Sequence, residues 1–236
     1  WIEARRARLA RADRPRTLAA TAVARLAAER AGASGPGARV EGGGDRSEDA
    51  DGRATDRAAW RRGRAGTAVG RAVHATLQQV DLVHWHGLAA LAEVQAVAEG
   101  VPTRVREIER LASAALGSPT VRDAVAGGRY WRELYVGAPV GDRVLEGFVD
   151  LLVDEGDGLA VVDYKTDQLV GDEEREQALA RYRPQGAAYA VAVEEAVGRP
   201  VHRCTFLFLR PGGAVALEIP DLELAKAEVR SLLLDA

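Results

Sequence analysis

Apolar and polar positions along the chain repeat with two different periods. In the first half, apolar residues recur at helical spacing in five segments: 17–30, 66–82, 88–100, 103–117 and 118–128. In the second half, short β-branched runs bounded by Gly, Asp or Pro predict five strands, at 130–140, 147–153, 159–165, 201–209 and 212–219. Two more helices are predicted at 171–198 and 221–236, with Pro184 a candidate break in the first. This order predicts an α/β domain in which helices flank a mixed sheet.

Composition limits the class of protein. Apolar residues make up 47% of the 236 residues, which is enough for a sizeable core. The single cysteine, Cys204, excludes an internal disulfide and a multi-cysteine metal site, and its apolar surroundings predict a core position. The chain has no apolar run long enough to span a membrane and no signal peptide at residues 1–16. We therefore expect a protein of the reducing cytoplasm.

Charge and glycine content divide the chain unevenly. The net charge of −3 argues neither for nor against a nucleic-acid partner. Arginines cluster in residues 1–30 and 61–64, where they could contact phosphate or form a solvated helix face. Residues 32–57 are rich in Gly, Ser and Asp and are predicted to be a flexible linker. Because the chain begins at Trp1 and has no methionine, we expect it to be part of a longer protein.

Two predicted strands carry charged residues inside apolar runs. Asp150 lies in GFVDLLV, and Asp163 and Lys165 lie in LAVVDYKT. Because strand side chains alternate between faces, Asp163 and Lys165 share one face. A hairpin centred near Gly156 and Asp157 would place Asp150 almost opposite Asp163. Two carboxylates that close repel unless a proton or a cation lies between them, and Mg²⁺ prefers oxygen ligands.

A purely structural role is the alternative for these charges. A strand-end Asp often forms a turn, and Asp163 with Lys165 could be a surface ion pair worth less than about 1 kcal/mol. However, charge inside a β-branched run is costly, and here it occurs in two adjacent strands. We therefore predict a divalent metal site, with Lys165 placed to stabilise negative charge or to orient a water molecule.

Three histidines are candidates for further ligands. His74 borders the apolar face of the helix predicted at 66–82, and position alone would make it an edge residue. His84 and His86, in VHWHG, could form a metal pair. Their spacing of two fits a strand and not a helix, so the predicted site does not include them.

Four motifs in order resemble the RecB-like nuclease domains of the PD-(D/E)XK superfamily. They are GRAVHATL, GFVDLLV, VVDYKTD and QGAAY, within residues 66–220. DYKTD alone is moderately specific, whereas the four motifs in this order are highly specific. Val149 stands where a proline often precedes the first acid. The similarity is greatest to the C-terminal domain of AddA/RecB or UvrD-like bacterial helicase–nucleases. It implies a restriction-endonuclease-like mixed central sheet flanked by helices, with an N-terminal helical region.

The resemblance also implies roles for individual residues. The implied metal ligands are His74, Asp150, Asp163 and the backbone carbonyl of Tyr164. The implied catalytic residues are Lys165, Asp163, Asp150 and Glu133, of which Glu133 has the least defined role. Gln185 and Tyr189, in QGAAY, match residues that contact DNA or order the site.

The implied activity is Mg²⁺- or Mn²⁺-dependent cleavage of DNA, expected to be exonucleolytic, within a helicase–nuclease for double-strand break processing and recombinational repair. Expected partners are DNA, a helicase domain of the same chain and a second helicase–nuclease subunit, without a membrane, in the bacterial cytoplasm at the nucleoid. Residues 1–60 would be an arm and linker toward the helicase part, and 61–236 the nuclease domain. The chain has no Walker A loop and lacks the cysteines of iron–sulfur relatives.

Two alternatives to this activity remain open. One is a catalytically silent nuclease-fold module for DNA binding or docking, which would be marked by the loss of a metal ligand. The other, less favoured, is a metal-dependent hydrolase of small phosphoesters. A groove lined with arginines would disfavour it.

Overall fold

The structure, a computed structural model, describes residues 17–30, 32, 66–169 and 171–235. Most of the predicted linker lies outside these residues, as do the arginine-rich residues 1–16 and 61–64. The helices, numbered in chain order, are α1 Ala20–Arg30, α2 Ala68–Gln79, α3 Leu88–Ala98, α4 Val105–Leu116, α5 Pro119–Gly127, α6 Asp172–Val197 and α7 Leu222–Asp235, with a short 3₁₀ turn at Pro102–Arg104. The strands are β1 Thr17–Ala19, β2 Tyr130–Val140, β3 Arg143–Asp154, β4 Leu159–Lys165, β5 Val201–Arg210 and β6 Gly213–Glu218.

The six strands form one mixed sheet. Strand β2 pairs antiparallel with β3 from Arg143 to Val153, with a break at Asp150. The other edge of β3 is shared, because β1 pairs parallel with residues 144–146 and β4 pairs antiparallel with residues 151–154. Strand β5 runs parallel to β4, and β6 returns antiparallel to β5. The predicted mixed sheet and the α/β class are thus confirmed.

Helices cover both faces of the sheet and enclose two apolar clusters. Side chains of α1, α6 and α7 pack on one face around Phe206, and those of α2, α4 and α5 pack on the other around Leu151. Helix α6 lies close to the sheet at Gly186, where an added Cβ would come within 2.8 Å of Cys204 Sγ. Cys204 is buried, as predicted. This close packing fixes the height of α6 above the strands that carry the charged residues.

Three details differ from the sequence-based prediction. Strand β3 begins at Arg143 rather than 147, because it continues to pair with β2 through the tight turn at Gly141. Helix α6 runs through Pro184 without a break. Proline removes one hydrogen bond to the preceding turn, and packing of the next turn on the sheet outweighs that loss. Residues 17–19, predicted as the start of a helix, form the short strand β1 instead.

The N-terminal segment is part of the same core. Leu18, Ala20 and Val23 are buried in the cluster that also contains α6 and α7. The division of the chain at residue 60 stays a prediction, but residues 17–30 pack on the sheet rather than apart from it. Within the described ranges, no helix is both long and apolar enough to cross a membrane.

Candidate active site

Two buried carboxylates lie at the point where β3 and β4 separate. The pairing of these strands ends at Leu151 and Val162, so the next positions along the hairpin are Asp150 and Asp163. Both are buried, with 6% and 4% of their surfaces exposed. The hairpin register is therefore the one predicted from the sequence.

The alternation of β3 side chains between the two faces of the sheet is broken at Asp150. Val149 packs in the cluster under α6, whereas Leu151 packs in the cluster under α2. Residues two apart on a regular strand share a face, so the backbone twists between them. The neighbouring residue of β2, Glu133, has a left-handed backbone with φ of 47° and interrupts the β2–β3 ladder. The twist directs acidic side chains of both strands toward the end of β4.

Asp150 is held on both carboxylate oxygens. His74 Nδ1 lies 2.9 Å from Oδ1, and the backbone N–H of Tyr164 donates to Oδ2 over 2.7 Å. The Asp150 carboxylate thus accepts the Tyr164 N–H in place of a backbone carbonyl of β3, because the two strands are no longer paired there. Burial opposes ionisation, but the His74 ring and the Tyr164 N–H outweigh it and hold the pKa of Asp150 below its ordinary value.

His74 reaches the acids from helix α2. The helix starts at Thr67, whose side chain accepts a hydrogen bond from Gly70 N. His74 Nδ1 also lies 4.0 Å from Glu133 Oε1. Burial alone would lower the pKa of His74, but the carboxylates of Asp150 and Glu133 raise it above its ordinary value. Ligand atoms of His74, Glu133 and Asp150 all lie within 4.8 Å of one another, close enough to hold one metal ion.

Asp163 lies beside this trio and contacts Lys165. Its Oδ2 atom is 2.6 Å from Lys165 Nζ, yet this buried oxygen has no hydrogen bond of acceptable geometry. Burial and the charge of Asp150 raise the pKa of Asp163, against the opposing effect of Lys165. The neighbouring charges of Asp150 and Asp163 each disfavour ionisation of the other in this buried place, so a further cation beside them would stabilise both as carboxylates. The residues present therefore fit a divalent ion.

Lys165 is positioned by helix α6. Its Nζ donates to Gln185 Oε1 over 3.2 Å, and Gln185 Nε2 donates to the Tyr189 hydroxyl over 3.3 Å. Gln185 and Tyr189 are 7% and 5% exposed. This burial favours the ordering role implied for the pair, and their contact with DNA stays a prediction.

Tyr182 is a residue of this site that the sequence reasoning missed. Lys165 Nζ lies 4.4 Å from the centre of the Tyr182 ring, and the Tyr182 hydroxyl donates to Asp167 over 2.9 Å. Burial and the Asp167 charge raise the pKa of this tyrosine. Helical spacing is the signal that could have found it, because Tyr182 precedes Gln185 by three positions and Tyr189 by seven.

The structure thus brings together every side chain predicted for the metal and catalytic roles, with one difference in grouping. The three clustered ligand atoms belong to His74, Glu133 and Asp150, whereas Asp163 contacts Lys165. At Tyr164 the structure shows the N–H bound to Asp150, and the role of its carbonyl as a ligand stays a prediction.

The sequence profile of the PD-(D/E)XK nuclease superfamily matches residues 52–234 of the chain. Curated relatives are also similar, and each is named as a subunit of an ATP-dependent helicase/nuclease. The protein from Desulforudis audaxviator is 32% identical over 66% of this chain, and that from Pelotomaculum thermopropionicum is 31% identical over 64%. The protein from Desulforamulus reducens is 40% identical over 32% of this chain. The matched parts make up 14%, 13% and 6% of these relatives' own lengths.

Proposed function

The chain belongs to the PD-(D/E)XK nuclease superfamily, and on this premise we propose that it is the Mg²⁺- or Mn²⁺-dependent DNA nuclease domain of a helicase–nuclease. One observation supports this most: three neighbouring strands each contribute an acid whose side chain is buried, namely Glu133, Asp150 and Asp163, beside a histidine and an ion-paired lysine. A structural role does not require so many charges in one buried place, since each is costly to desolvate.

The metal would be held by His74, Glu133, Asp150 and Asp163. When bound, such an ion supplies a Lewis acid for the phosphate that is attacked. Asp150 orients His74 through its Oδ1 atom and holds the β4 backbone through its Oδ2 atom. The remaining step, stabilising the negative charge that develops on the phosphate, falls to the protein's own cation.

Lys165 is that cation. Asp163 and Gln185 contact its ammonium group, so it cannot swing away into solvent, and its side chain is only 13% exposed. In a site with little water, a fixed positive charge stabilises a developing phosphorane charge more than it would in bulk solvent. Lys165 also orients the attacking water in this proposal.

The biological setting follows from the relatives and is part of the same proposal. Because the relatives are named as helicase/nuclease subunits and are several times longer, we infer a helicase part in the same protein and a role in double-strand break processing and recombinational repair. A second subunit, exonucleolytic cleavage and location in the cytoplasm at the nucleoid stay predictions.

The test is cleavage of end-labelled single- and double-stranded DNA with Mg²⁺, Mn²⁺ or EDTA. We expect the unaltered protein to cut only with a metal. Asp163→Asn and Lys165→Ala should abolish cutting while the circular dichroism spectrum remains that of the folded protein. Asp142→Ala, at an exposed acid in the β2–β3 turn, is the matched control and should cut normally.

Two results would contradict the proposal. If folded Lys165→Ala cleaves DNA at the unaltered rate, the lysine has no part in the mechanism. A folded protein that cuts neither DNA form with either metal would instead support a catalytically silent module.

A further inference from the structure

A second cluster of metal-ligating side chains lies in the turn between α2 and α3. The segment DLVHWHG, residues 81–87, places Asp81, His84 and His86 on one side of the turn. We propose that these three residues bind a borderline divalent transition-metal ion, with Zn²⁺ as its best representative. The site is independent of the candidate active site, because it shares none of its residues.

The donor atoms converge on one point. His84 Nδ1 and His86 Nδ1 lie 3.0 Å and 3.4 Å from the same oxygen, Oδ2 of Asp81. The two imidazole rings stack with their centres 5.2 Å apart and their planes 13° from parallel. Ligand atoms of the three residues all lie within 4.8 Å of one another. Small rotations of exposed side chains would therefore complete a three-ligand site.

The backbone between the two histidines has an unusual conformation that creates this convergence. Trp85 has φ of 61°, a left-handed conformation that costs a non-glycine residue on the order of 1–3 kcal/mol. Asp81 also holds the turn from within, since its Oδ1 atom accepts the N–H of Val83 over 2.9 Å. Because the chain reverses at Trp85, two histidines separated by one residue point to the same carboxylate without forming a strand.

This geometry removes the sequence-based argument against the pair. A spacing of two fits a strand and not a helix, which argues against two histidine ligands on a helix. His84 and His86 belong to neither element, because α2 ends at Gln79 and α3 begins at Leu88. A turn with one left-handed residue brings the two rings to one side, as a strand would.

The ligand set selects the kind of ion. Two imidazoles and one carboxylate match Zn²⁺, which takes nitrogen and oxygen ligands and accepts three protein ligands with a fourth position open. Mg²⁺ prefers oxygen ligands and retains its waters, so this site should not take it. The histidine side chains are 65% and 79% exposed, which gives the ion a direct route from solvent.

Outside the candidate active site, the chain has few other imidazole or thiol groups that could compete for such an ion. The whole chain contains four histidines and one cysteine, Cys204, which is buried. His74 belongs to the candidate active site, and His202 is exposed on β5. His202 therefore provides a matched control for losing a surface imidazole.

The experiment is a calorimetric titration with ZnCl₂, using the whole chain without a histidine tag and with Asp150→Asn to disable the other metal site. We expect one equivalent of Zn²⁺ to bind to Asp150→Asn, and MgCl₂ to give no heat there. Adding His84→Ala or His86→Ala should abolish the Zn²⁺ binding, whereas adding His202→Ala should leave it unchanged. If Asp150→Asn does not fold, His74→Gln replaces it as the parent.

Either of two results would overturn the proposal. The first is a parent protein that takes up no Zn²⁺. The second is a folded His86→Ala protein that binds Zn²⁺ as tightly as its parent, which would place the ion elsewhere.

Discussion

Replacing Gly147 by alanine should destabilise the protein through Tyr189. A Cβ at position 147 would lie 2.7 Å from Tyr189 Cε1, well inside contact distance, and 3.4 Å from Ala20 Cβ. Tyr189 is buried against the sheet, so its ring has little space into which to move. Overpacking of this kind costs about 1–3 kcal/mol, and we expect the free energy of unfolding of Gly147→Ala to fall by that amount.

The same change should reach the candidate active site. The Tyr189 hydroxyl accepts a hydrogen bond from Gln185, and Gln185 accepts one from Lys165. A displaced ring would therefore shift the group that holds the lysine. We expect Gly147→Ala to cut DNA more slowly than the unaltered protein even at a temperature where both are fully folded.

Urea unfolding followed by circular dichroism measures the first effect, and cleavage of end-labelled DNA measures the second. Gly127→Ala is the control, because an added Cβ there would meet no atom within 4 Å apart from its chain neighbours and the backbone of its own helix, and it should cost nothing. In a Tyr189→Leu background, which removes Cε1, the cost of Gly147→Ala should fall below about 1 kcal/mol. An undiminished cost in that background would refute the steric explanation.

Two further changes test other parts of the structure. Tyr182→Phe keeps the ring beside Lys165 and loses only the hydroxyl. It should lower the free energy of unfolding in urea by about 0.5–1.5 kcal/mol and preserve most of the DNA cleavage. Tyr182→Leu also loses the ring and should slow cleavage markedly. Equal cleavage by the two variants would show that the ring does not matter. A truncated protein of residues 61–236 loses the buried side chains of Leu18 and Val23. Their burial contributes about 3–6 kcal/mol to the free energy of unfolding. An unchanged urea midpoint would contradict their place in the core.

The strand pairing at the site could be predicted because it is local. Asp150 and Asp163 belong to one hairpin, so the turn between them fixes which residues lie opposite. The left-handed backbone of Glu133 could not be predicted, because no turn-forming residue marks it and the conformation is imposed by the twist of β2 against β3. As a result, the sequence could not show that Glu133, rather than Asp163, would cluster with His74 and Asp150.

Lysine usage is a further signal in the sequence. The chain has 32 lysines and arginines, of which only Lys165 and Lys226 are lysines. Both side chains are largely buried and ion-paired, with 13% and 2% exposed. Lysine is a compact point charge on a flexible stem, and arginine is a wide planar fork with five donors, so the two cations are not interchangeable where they are buried. In a chain that otherwise uses arginine, each lysine marks a position where the shape of the cation matters.

The pairing of β1 with β3 has a consequence for how the protein is made. Thr17 pairs with Val144, more than a hundred residues later in the chain. At a translation rate of about 5–20 residues per second, roughly 6–25 s pass between the synthesis of these two positions. Throughout that delay β1 has no partner strand, so residues 17–19 reach their native pairing only after a strand made much later has left the ribosome.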